Sequence, residues 1–84
     1  MTEGFKVLDV ASWVAQVLNT YEGLYEVQDH IFVRQTVRVV TKRRDSYFDI
    51  SAERWKASAD PEALDALGHD LGLWARRVFP AHHS

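Results

Sequence analysis

Arg34-Gln35-Thr36-Val37-Arg38-Val39-Val40-Thr41-Lys42-Arg43-Arg44-Asp45-Ser46-Tyr47-Phe48-Asp49-Ile50-Ser51-Ala52-Glu53 is the stretch that decides the fold. Arg34 and Glu53, Arg38 and Asp49, and Lys42 and Asp45 are pairs of opposite charge whose position numbers all sum to 87. A constant sum is what an antiparallel hairpin produces, because opposite residues count up one strand and down the other. The same register sets Val37 against Ile50, Val39 against Phe48 and Val40 against Tyr47, so apolar partners line up as the charges do. The hairpin closes around Arg43 and Arg44, the two cations left without an assigned acid, and its second strand runs from Tyr47 to about Ala52. A run that looks basic is thereby expected to be a largely neutralised sheet surface.

Toward the N-terminus, Val10, Trp13, Val14, Val17, Leu18 and Tyr21 repeat at helical spacing. They predict a first helix over about 10–21, capped by Asp9 and ended by Gly23. The period then changes to two, with Tyr25 and Val27 alternating with Glu26 and Gln28. A three-residue turn at Gln28-Asp29-His30 would place Val27 opposite Ile31 and Tyr25 opposite Val33, and start a long central strand at Ile31. Toward the C-terminus, residues 56–60 lose periodicity and end in Asp60-Pro61-Glu62, a cap, a proline at the first helical position and an acid in the first turn. Leu64, Leu67, Leu71, Trp74 and Val78 form the buried stripe of a second helix over about 61–78, and Pro80 stops it ahead of a frayed tail, 80–84. The expected fold class is α+β, an α-β-β-β-α two-layer sandwich with a three-stranded antiparallel meander and both helices on one face.

With 84 residues, 46% of them apolar, the chain has material for one core, so a single domain, 1–84, is expected with its core at about 9–79. Cysteine is absent, which removes disulfides and thiolate metal sites and makes a reducing cytoplasm the simplest location. The start of the chain carries Glu3, Lys6 and Asp9 where a leader would be basic and then apolar, and no uncharged stretch is long enough to span a bilayer. The formal charge of −2 is uneven: residues 34–56 hold seven bases against three acids, while both flanking segments are acidic.

The four histidines, at 30, 69, 82 and 83, lack the spacing of metal ligands, and the serines at 12, 46, 51, 58 and 84 have no nucleophile setting. Gly68, Gly72 and Ala75 make a small-residue strip beside the leucine stripe, expected to let the second helix pack closely on a neighbour. The first helix has no charge between Asp9 and Glu22, so the face opposite its apolar stripe, Ala11, Ser12, Ala15, Gln16 and Asn19, is small and neutral. A solvated helix usually carries Lys or Glu there, whereas an interface does not.

In element order, residues 9–79 resemble the double-stranded-RNA-binding domain, which would imply a nucleic-acid-binding module. That family's lysine cluster at the start of its second helix is here Asp60, Glu62 and Asp65, and its Gly-Pro-x-His loop motif is absent from Gln28-Asp29-His30. In size and compactness alone the chain resembles the inhibitors of bacterial defence complexes that phages and other mobile elements encode, anti-CRISPR proteins among them. The expected function is therefore that of a small non-enzymatic binding protein acting through protein-protein interaction, with a protein partner or a second copy of itself. Ala11, Ala15, Gln16, Asn19, Arg43 and Arg44 are its expected contact residues. The alternative is nucleic-acid binding through the Arg43-Arg44 loop, expected to be weak because most of the basic face is paired. No catalytic residue, cofactor, metal, small-molecule substrate or membrane contact is expected.

Overall fold

The computed structural model describes residues 7–29 and 35–79, with side chains from Asp9 onward. Its elements are α1 (Val7–Val17), a 3₁₀ turn (Asn19–Tyr21), β1 (Tyr25–Asp29), β2 (Thr36–Thr41), β3 (Tyr47–Ser51), α2 (Ala52–Ala57) and α3 (Pro61–Val78). The three strands form one antiparallel sheet in the order β1-β2-β3, and the helices pack against it as the second layer of an α+β sandwich.

The β2–β3 register has the predicted sum of 87: Val37 faces Ile50, Arg38 faces Asp49, Val39 faces Phe48 and Val40 faces Tyr47. The β1–β2 register differs from expectation. Val27 pairs with Val39 and Tyr25 with Thr41 in place of Ile31 and Val33, which with His30 lie outside the described residues, and Gln28 and Asp29 belong to β1. The expected and observed β1–β2 registers differ by an even number of residues, and an even shift leaves the same residues on the same face. Tyr25 and Val27 accordingly pack on the core with Val37 and Val39, as their alternation requires.

α1 begins at Val7, which puts Asp9 in its first turn instead of at the cap. It ends at Val17, and Gly23 follows the 3₁₀ turn at φ +88°, a left-handed conformation open to glycine at little cost. Val10, Val14 and Leu18 are fully buried beneath it. β3 ends sooner than predicted because Ser51 caps a helix absent from the predicted order: its hydroxyl accepts the Arg54 N–H at 3.1 Å, and Ala52 and Glu53 turn into α2. Arg34 lies outside the described residues, and Glu53 stands in the first turn of α2, so β3 cannot offer it as a cross-strand partner.

α3 runs over Pro61–Val78 as predicted, although Asp60 caps it through its main-chain carbonyl, with no side-chain bond. Leu67, Leu71 and Ala75 are fully buried and meet Val37, Val39 and Ile50 from the sheet. Burial of each such aliphatic side chain contributes about 1.5–3 kcal/mol. Trp74 is the joint between the layers: its ring packs on Phe48 and Phe79, and its indole N–H donates to the Ser46 hydroxyl at 3.0 Å. α2 is tied to α3 by Arg54, which meets Asp70 at 2.6 Å.

Candidate functional site

Three surfaces are open to a partner. The first is the β2–β3 hairpin. Thr41 accepts the Arg44 N–H through its carbonyl at 2.8 Å, while its side chain donates to Asp45 at 2.6 Å and accepts the Asp45 N–H at 3.1 Å. The carboxylate of Asp45 is thus occupied within the turn. Lys42 instead reaches across to Glu26 of β1 at 3.7 Å, and Arg44 meets the same carboxylate at 3.3 Å. Two expectations are corrected here: Lys42 is not paired with Asp45, and Arg44 is not without an acid. Arg43 is exposed and makes no ion pair with a described residue. Arg44 sits at φ +65°, where a side chain with a Cβ is strained.

Behind the tip, Arg38 and Asp49 form the predicted pair as a two-pronged contact, at 2.8 and 3.1 Å. The Arg38 guanidinium also lies 3.6 Å above the centre of the Tyr47 ring. Hydrogen bonding to Asp49 raises the Arg38 pKa further above its ordinary value, so this cation is permanently charged and held in one plane. Three of the four basic side chains of the described hairpin therefore meet carboxylates.

The second surface is α1. Ala15 and Gln16 of α1 and Asn19 of the 3₁₀ turn after it are exposed, and Ala11 is half-buried, so the uncharged residues span both elements. Ser12 is exposed as well, and none of these residues belongs to the core.

The third surface could not be read from the sequence. Trp13 of α1 and Trp55 of α2 meet edge to face, with centroids 5.5 Å apart and planes at 62°. Beside them a cleft of about 320 Å³ is lined by Trp13, Trp55, Lys56, Ser58, Ala59 and Leu64. Gly68 lies beneath the Trp13 ring, where an added Cβ would sit 3.5 Å from the indole, an ordinary van der Waals contact. Gly72 has open space around it, so neither glycine of the small-residue strip stands where a close approach would exclude a Cβ, contrary to expectation. The missed signal was Ser51-Ala52-Glu53-Arg54, a helix start that brings Trp55 to Trp13.

Among the described residues no three histidine, aspartate or glutamate side chains come close enough to hold a metal ion, and no helix is long and apolar enough to cross a membrane. No family model, curated protein or solved structure matches the chain.

Proposed function

We propose that this protein is a non-enzymatic binding domain that acts by protein-protein interaction, with the neutral face of α1 as its contact surface. The observation that carries the reading is that Ala15, Gln16 and Asn19 are exposed on α1 and the 3₁₀ turn after it, a stretch with no charged residue from Val10 to Tyr21. Covering such a face costs little desolvation, because no ion has to leave water. Absence of cysteine agrees with a cytoplasmic setting. The narrower form of the reading, an inhibitor of a bacterial defence complex encoded by a phage or other mobile element, draws on size and compactness.

Ala15→Glu tests it. The residue is exposed, so stability should change by no more than about 0.5 kcal/mol. Association, read by light scattering for a second copy and by affinity purification for another partner, should be lost. Unfolding of the variant would mean that the helix is buried on both sides; unchanged association would remove the α1 face from the proposal.

A second reading, nucleic-acid binding at the hairpin tip, is favoured by one observation, that Arg43 is exposed and has no ion pair among the described residues. Its weakness is the pairing of Arg38, Lys42 and Arg44 with Asp49 and Glu26. Submicromolar duplex binding abolished by Arg43→Ala with Arg44→Ala would put this reading first.

A further inference from the structure

We propose that the Trp13–Trp55 cleft holds the apolar C-terminal residue of a partner protein, with its side chain against the two indoles and its carboxylate on Lys56. The inference rests on the reading of this chain as a protein-binding domain, but it uses different residues. The lining is divided in chemistry. Trp13, Trp55, Ala59 and Leu64 offer apolar surface, and the volume of about 320 Å³ suits one large side chain. Lys56 is the only charged residue of the lining, is exposed, and makes no ion pair with any described residue. The Ser58 hydroxyl already donates to the Arg54 carbonyl at 2.9 Å, so beside the indole N–H groups of Trp13 and Trp55, Lys56 is the one cationic donor of the lining.

The charges outside the lining narrow the occupant. Glu53 stands three residues before Lys56 on α2, and Asp60 and Glu62 are exposed at the start of α3. A run of acids would be repelled by these groups. One carboxylate brought directly to Lys56 would gain the short-range attraction while the more distant acids are weakened by water and salt. A chain terminus fits this requirement, because a single residue carries both the apolar side chain and the carboxylate, and recognition of a terminal carboxylate is an established mode of peptide capture.

The test is an NMR titration of the intact protein with acetyl-Ala-Ala-Phe as the free acid and as its C-terminal amide. The three tryptophans give three indole N–H signals, and Trp74, buried and bonded to Ser46, is the internal reference. The free acid should shift the Trp13 and Trp55 signals saturably, leave Trp74 in place, and bind about tenfold more tightly than the amide, as loss of one charge-assisted hydrogen bond implies. Lys56→Glu, a change at an exposed position, should abolish that preference. Equal binding of acid and amide, an unchanged preference in Lys56→Glu, tighter binding of acetyl-Ala-Ala-Lys-amide, or no saturable shift would each overturn the proposal. Ala15→Glu should bind the peptide as the parent does, so failure of the α1 face and failure of the cleft are separate results.

Discussion

Glu26 is the residue on which the electrostatics of the hairpin tip turn, and replacing it with glutamine isolates that effect. Its carboxylate accepts from Arg44 at 3.3 Å and from Gln28 at 3.0 Å, and lies 3.7 Å from Lys42. Glutamine keeps an acceptor in place and removes the charge. The ion pairs are exposed, so the loss of stability should stay below about 1 kcal/mol. The effect on phosphate binding should be larger. Two cations released from Glu26 can neutralise about two further phosphates, steepening the dependence of log affinity on log salt by about 1.8. Over the range from about 50 to about 200 mM salt, that slope corresponds to an extra loss of roughly tenfold in affinity. Fluorescence anisotropy with a short DNA duplex, measured across that range, reads the slope directly. A slope in Glu26→Gln equal to that of the parent would refute the argument that Glu26 holds Lys42 and Arg44 away from phosphate.

Three further outcomes are expected. Ser46→Ala removes the acceptor of the Trp74 indole and should destabilise the fold by about 1–2 kcal/mol in urea unfolding, but by much less in a Trp74→Phe background, where no donor is left unpaired. Gly72→Ala meets no atom within 4 Å and should raise stability by about 0.5–1 kcal/mol, visible as a higher urea midpoint at unchanged slope. The Tyr25 pKa is raised, by burial and by the nearby Glu22, so the folded state retains its phenolic proton more strongly than the unfolded chain. That contribution is complete below the ordinary tyrosine value of 10.0 and is lost as pH rises through the folded value. The alkaline fall in stability should therefore be smaller in Tyr25→Phe than in the parent.

How much of this was legible follows from where the information lies. α3 was readable to its ends because Asp60-Pro61-Glu62 and the leucine stripe are independent signals that agree. The β2–β3 register was readable because Arg38–Asp49 and three apolar pairs fix the same offset. The β1–β2 register was not, since alternating valines fit any even offset equally well, and the loop length that chooses between them carries no charge pattern. α2 was missed because six residues are too few to display a period, and its one signal, the Ser51 cap, also suits a strand end. The neutral face of α1 was visible as an absence of charge. The Trp13–Trp55 cleft was not, because it exists only after α2 brings residues 42 positions apart into contact.

Arg44 remains at odds with its own backbone. At φ +65° a glycine would relieve the turn, by about 1 kcal/mol, and asparagine would also be tolerated there. Variants at this position sorted by folding alone would place both above arginine. The chain nevertheless carries a long cation at the point where the backbone least favours it, and its one described ionic contact is with the half-buried Glu26 across the sheet. Such weak pairing does not oppose the strain by much. Position 44 is thus a residue at which backbone stability and surface charge favour different amino acids.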